Sequence, residues 1–176
     1  FPMMATESKR TKGEVLLEIK GLKIEGLSDD QWNPIVKGED LTLRRGEVLG
    51  LIGESGAGKS TIGLAAMGYV RPGCRFSGGS ITFDGIDLLA ASDEEKRSLR
   101  GSRIAYVAQS AAASFNPAHR LMEQVTETAV GHHIMPREKA ESDARDLFGR
   151  LRLPNPDKIG ERYPHQVSGG QLQRAM

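Results

Sequence analysis

Apolar and polar positions divide the chain into two unequal stretches, one in which strands and helices alternate and one that is mainly helical. Val15 to Ile24 is rich in β-forming residues and predicts a strand, and Asp40 to Leu43 predicts a second, short one before the turn Arg45-Gly46-Glu47, both of sheet-edge character. Val48-Leu49-Gly50-Leu51-Ile52 is an apolar run ending at a glycine, the pattern of a central parallel strand covered on both faces. Lys59 to Tyr69 predicts a helix, and Ile81-Thr82-Phe83-Asp84-Gly85-Ile86 carries the Asp-Gly signal of a hairpin. Ser92 and Glu95 have the spacing of a capping box for a short helix to about Leu99, and Ile104 to Ala108 predicts another buried strand that stops at Gln109.

From Met122 onward the rhythm is helical, clearest between Arg137 and Leu151, where Ala140, Ala144, Leu147, Phe148 and Leu151 share one face. Pro154, Pro156 and Pro164 interrupt the next stretch, and Ser168-Gly169-Gly170 predicts a turn opening a last helix. The segment Phe1 to Lys12 lacks periodicity and predicts a loose tail. No internal repeat and no low-complexity segment occurs.

Composition narrows this picture only slightly. A chain of 176 residues that is 38% apolar can bury a core of its own. No run approaches the roughly 18 apolar residues of a membrane helix. The formal charge of +1, with both signs interspersed, gives no electrostatic footprint for nucleic acid. The single cysteine, Cys74, cannot form an internal disulfide and fits a reducing compartment. His132-His133 lacks companion ligands at metal spacing, and Asp93-Glu94-Glu95 is the acidic first turn of a helix.

Chemistry enters at Gly53-Glu54-Ser55-Gly56-Ala57-Gly58-Lys59-Ser60, which fits G-x-x-x-x-G-K-[ST] between a predicted strand and a predicted helix. Glycines let successive backbone N–H groups turn inward on phosphate oxygens, at the positive end of the following helix. Lys59 is expected to bridge the β- and γ-phosphates of ATP, Ser60 to offer its hydroxyl to Mg2+, and Thr61 to reach the α-phosphate side. Such a cradle fixes a ligand class and no particular task.

The second motif is Val167-Ser168-Gly169-Gly170-Gln171, followed by Leu172-Gln173-Arg174. A serine hydroxyl and two glycine N–H groups at a helix start make a second anion site. This run resembles the Leu-Ser-Gly-Gly-Gln signature of ABC ATPases, with Val167 in place of Leu, over a resemblance that spans about residues 15 to 176. It implies an α/β P-loop NTPase (RecA-like) core with an antiparallel β edge and an inserted helical subdomain, incomplete at the C-terminus. The implied organisation is a tail over 1–12, a core part with the cradle over 13–112, and a helical subdomain ending in the signature over 113–176. Gln109 matches the glutamine that in this family reaches Mg2+ and the attacking water. Gln109 and Lys59 are thus the implied catalytic residues, and Ser60 and Gln109 the metal-facing ones.

The run from Gln109 to Pro117 and the segment Tyr163-Pro164-His165-Gln166 look most like ATPase subunits of oligopeptide and dipeptide importers. The implied function is an ATP-binding subunit that couples Mg-ATP binding and hydrolysis to solute import, of peptides by this likeness. Its implied partners are a second ATP-binding subunit clamping two ATP molecules head to tail, membrane permease subunits and, indirectly, a solute-binding protein, with no nucleic acid. The implied location is the inner face of the cell membrane. Three departures stand out. Ile24-Glu25-Gly26 has no aromatic for adenine, leaving Trp32 as the substitute; Ser110-Ala111 replaces the usual acidic-Pro pair after the glutamine; and the 176 residues reach Met176 without the Mg2+-linked Asp, catalytic Glu and switch His, so a fragment without turnover is expected. Two other readings are a nucleotide-binding module that does not hydrolyse and a DNA-maintenance ATPase of the ABC type. The latter usually has a long coiled coil between the two motifs, and no heptads occur here.

Overall fold

A computed structural model describes residues 13–54, 56 and 58–176, so the expected tail over 1–12, Ser55 and Ala57 lie outside the described residues. The chain divides into two compact units, residues 1–97 and 98–176.

The first unit is built on a four-stranded antiparallel sheet of order β2-β1-β3-β4. Its strands are β1 (Val15–Ser28), β2 (Gln31–Arg44), β3 (Cys74–Phe83) and β4 (Ile86–Asp87). Strands β1 and β2 are longer than the sequence pattern predicts, because Asp29 and Asp30 close them into a hairpin with both residues in the left-handed region, at φ 51° and 59°. Aspartate tolerates that region, whereas the familiar signal for such a turn is Asn-Gly or Asp-Gly. The predicted Asp84-Gly85 turn joins β3 to β4 as expected.

Inward positions on β1 alternate as Leu17 and Ile19, then change phase to Leu22 and Ile24, all four buried. The change of phase is a bulge: Lys20 pairs with Ser80 and Lys23 with Gly78, leaving two residues on β1 opposite one on β3. Without that extra residue Leu22 would point to solvent. Gly79, at φ 86°, sits opposite the bulge, and an added Cβ would lie 2.5 Å from the Gly21 carbonyl oxygen. Helix α1 (Lys59–Ala65) contributes Leu64 and Ala65 to the buried residues of this unit.

Helix α2 (Asp93–Leu99) spans the unit boundary and is followed by α3 (Ala111–Ser114), α4 (Leu121–Gly131), α5 (Arg137–Arg150), α6 (Pro156–Ile159), a 3-10 turn over Pro164–Gln166, and α7 (Gly169–Ala175). The second unit packs Ala111, Leu121, Ala144, Phe148, Leu153, Ile159, Leu172 and Ala175 into one apolar cluster. Ala140, Ala144 and Phe148 of the predicted α5 face are buried, while Leu147 and Leu151 are exposed and line a cavity of about 410 Å3.

Two predicted strands are not formed. Residues 48–52 and 105–108 carry no strand, Val48 is 96% and Ile52 99% exposed, and only an isolated parallel bridge joins Arg100 to Ile104. A parallel strand buried on both faces exists only with ladder neighbours on both sides, and none pairs with these runs among the described residues.

Candidate functional site

The cradle lies between the apolar run 48–52 and α1. Gly56 and Gly58 both adopt left-handed backbone, at φ 86° and 83°. Gly58 is the residue before the first turn of α1, and its carbonyl accepts the first helical hydrogen bond, from Ile62 N–H, at 2.9 Å. An added Cβ on Gly58 would lie 3.3 Å from both the Ile35 carbonyl oxygen and Val36 Cγ2, so conformation and space both select glycine there. Gly56 faces open space, with nothing within 4 Å of an added Cβ.

Lys59 folds back over the loop. Its Nζ donates to the carbonyl oxygens of Gly53 at 2.6 Å and Glu54 at 2.5 Å. The ammonium is thus held at the loop mouth by two carbonyls, an arrangement suited to receiving an oxyanion on its remaining donor. Gly53, Glu54 and Ser60 are exposed and Thr61 is half-buried. An exposed hydroxyl one residue past the lysine, at an open glycine loop, fits a hydrated Mg2+ that takes few protein ligands.

Next to the loop is a cavity of about 430 Å3, lined by Pro34, Ile35, Val36, Lys37, Glu39 and Gly56. Trp32 is turned to other use. The Arg75 guanidinium carbon lies 4.0 Å from its ring centroid, and Arg75 is held in turn by Glu25 at 2.8 Å.

In the second unit, Ser168 begins α7 with a reciprocal cap. Its hydroxyl accepts from Gln171 N–H at 3.2 Å, and the Gln171 side-chain oxygen accepts from Ser168 N–H at 3.1 Å. Gly169 and Gly170 are exposed, and an added Cβ on either meets nothing within 4 Å, so the helix start is open to an approaching group. Gln109 is exposed in a bend just before α3. The two features are tied together: Gln173 Nε2 of α7 donates to the Ala108 carbonyl at 3.3 Å, and Ala111 of α3 shares the apolar cluster with Leu172 and Ala175 of α7.

The structure therefore assembles Gly53, Glu54, Gly56, Gly58, Lys59, Ser60 and Thr61 in one unit, and Gln109, Ser168, Gly169, Gly170 and Gln171 in the other. The sequence pattern did not single out Ile35 or Gln173. Pro34 inside a strand run is a signal for Ile35, since proline in a sheet marks an edge strand or a bulge. Gln173 has no comparable local signal, because its partner is 65 residues away.

Comparison with known proteins gives a consistent result. The family model described as ABC transporter matches residues 36–176. The oligopeptide transport ATP-binding protein OppD of Lactococcus lactis subsp. cremoris is 33% identical over 165 residues, 94% of this chain and 49% of the relative. OppD of Salmonella typhimurium is 36% identical over 162 residues, 92% of this chain and 48% of the relative. The chain thus spans about half the length of the curated relatives it matches. Among solved structures, the ATP-binding cassette MJ0796, described as dimeric, in a post-hydrolysis state and bound to ADP and Pi, superimposes with a TM-score of 0.78 at 22% identity. That match covers 91% of this chain and 66% of MJ0796. At that identity the likeness establishes the fold, that of a P-loop NTPase cassette.

Proposed function

The chain belongs to the ABC transporter family and is related to oligopeptide importer ATPases, and from that premise we propose that it is an ATP-binding subunit coupling Mg-ATP binding and hydrolysis to the import of peptides. The observation that carries this reading is the cradle: a loop with left-handed Gly56 and Gly58, an ammonium held at its mouth, and a helix starting behind it. Backbone N–H groups and Lys59 bind the phosphates, Ser60 and Gln109 face Mg2+, and Thr61 supports the α-phosphate side. Mg2+, when bound, would supply charge neutralisation for the phosphates.

The open start of α7 supports a second role. Ser168 presents its hydroxyl, and Gly169 and Gly170 their backbone N–H groups, on a helix start that Gln171 holds by the reciprocal cap, to the ATP held by an opposing subunit, so that two subunits close on two nucleotides. Closure moves membrane permease partners, and a solute-binding protein supplies the cargo to them. No described helix is long and apolar enough to cross a membrane, so on this reading the subunit sits against the membrane through its partners. The chain spans about half the length of the curated relatives it matches. Hydrolysis is accordingly proposed for the whole protein, and nucleotide binding for the residues described.

Titration with Mg-ATP tests the reading. Lys59→Ala is expected to weaken binding by about 100-fold, the loss of one or two charge-assisted hydrogen bonds to phosphate. Equal affinity of Lys59→Ala and the parent chain would remove the cradle from the nucleotide site.

A further inference from the structure

We propose that Glu54 is a specificity-determining residue of the cradle: its carboxylate offsets the charge of Lys59, so that the loop favours a polyphosphate already paired with a divalent cation over a bare one. The inference rests on the nucleotide reading above. From Gly53 to Thr61 the chain carries one cation, Lys59, and one anion, Glu54. An acidic side chain at the mouth of a phosphate loop opposes the charge of the ligand, so its presence calls for a reason.

Local structure does not supply one. Glu54 is not among the left-handed residues of the loop, Gly56 and Gly58, and its backbone makes no demand on residue type. What the loop uses of residue 54 is the carbonyl oxygen, which accepts from Lys59 Nζ at 2.5 Å and which every amino acid possesses. Glu54 is exposed, and among the described residues its carboxylate makes no hydrogen bond and no ion pair.

Charge does supply a reason. Lys59 gives two of its three donors to the Gly53 and Glu54 carbonyls, which are dipoles and leave the ammonium charge uncompensated. The Glu54 carboxylate hangs from the residue that the ammonium touches, so the two charges are separated on the scale of the Debye length, about 8 Å at physiological salt. Contact and field then part company. The third donor of Lys59 and the backbone N–H groups act at contact and are untouched by Glu54. The field that draws in an anion from further out is largely cancelled. The adjoining cavity does not restore it, since Lys37 and Glu39 bring one charge of each sign. Repulsion from Glu54 scales with the charge on the phosphates, and with a divalent cation cancelling two of the charges of ATP it roughly halves. Glu54 therefore disfavours the bare nucleotide more than its metal complex.

The test measures ATP binding to the purified full chain with excess Mg2+ and with EDTA, each at low and at high salt. Glu54→Gln, which keeps the size of the side chain, is expected to tighten metal-free ATP about tenfold and Mg-ATP no more than about threefold. Both gains are expected to shrink in 1 M salt, where the Debye length is about 3 Å. Glu54→Ala is expected to shift the ratio of the two affinities in the same direction should the glutamine variant fail to fold, and Glu54→Asp, which keeps the charge, to retain the parent ratio. Equal changes in both affinities, no change in either, or a Glu54→Asp ratio that follows Glu54→Gln would overturn the proposal. Failure of the cradle is seen separately. Lys59→Ala that binds Mg-ATP as the parent does removes the nucleotide site itself, whereas loss in Lys59→Ala with an unshifted ratio in Glu54→Gln sinks the role of Glu54 alone.

Discussion

Ser168 meets two demands with one hydroxyl. It caps α7 by accepting from Gln171 N–H, and it is the group we propose faces a neighbouring subunit's nucleotide. The two demands are separable because a carboxylate caps as well as a hydroxyl but repels phosphate. Ser168→Ala is expected to cost about 1 kcal/mol of stability through the lost cap, and Ser168→Asp close to none. Thermal unfolding measures the first effect. ATP-dependent self-association, followed by light scattering, measures the second and is expected to be lost in Ser168→Asp despite its intact fold. Association that survives in Ser168→Asp would confine Ser168 to capping. At this scale the sequence was a good guide to the local geometry of Gly58, Lys59 and Ser168, which depends on immediate chain neighbours. For Ile35 it offered only the neighbouring Pro34 as a signal, because the position of Ile35 follows from a bulge defined against another strand.

Short helices depend on their ends, and α2 shows how. With 7 residues it is too short to persist on propensity alone, and it relies on the predicted box: Glu95 N–H donates to the Ser92 hydroxyl at 3.2 Å and Ser92 N–H to the Glu95 carboxylate at 2.7 Å. The backbone hydrogen bond from Ser92, and then its hydroxyl, hold the Glu95 carboxyl below the usual glutamate range. A depressed folded-state pKa gives a contribution that is fully present above the unfolded value, about 4.3, and lost as pH falls through the folded one. Acidification below about pH 4 is therefore expected to fray residues 93–99, seen in backbone chemical shifts. Glu95→Gln should remove that pH dependence, whereas Glu94→Gln should keep it; identical titrations of the two variants would count against the box. Elements with local instructions, such as α2 and the Asp84-Gly85 hairpin, were legible beforehand. The Asp29-Asp30 hairpin was not, because two aspartates in left-handed conformation are a rare solution that composition does not announce.

For the molecule as a whole, the apolar runs 48–52 and 104–108 show where sequence pattern and structure part. A run of Val, Leu and Ile states a preference for burial, and the preference becomes a strand only when neighbouring strands accept its N–H and C=O groups. Antiparallel β1 to β4 satisfy that condition within the chain, β1–β2 and β3–β4 through two-residue turns, whereas residues 48–52 form no ladder and Val107 is 65% exposed. The difference is measurable by hydrogen exchange on the 176-residue chain. Amides of Leu17 to Ile24, paired on both sides by β2 and β3, are expected to exchange slowly. Those of 48–52 should exchange within seconds, close to the rate of an unstructured peptide. Slow exchange at 48–52 would mean that the run is paired in solution after all and would return it to the central strand its pattern describes. Fast exchange would mean that the loop geometry around Gly56, Gly58 and Lys59 is set from its helical side, by α1 and by the Ile35 and Val36 contacts at Gly58, and does not depend on a strand in front of it.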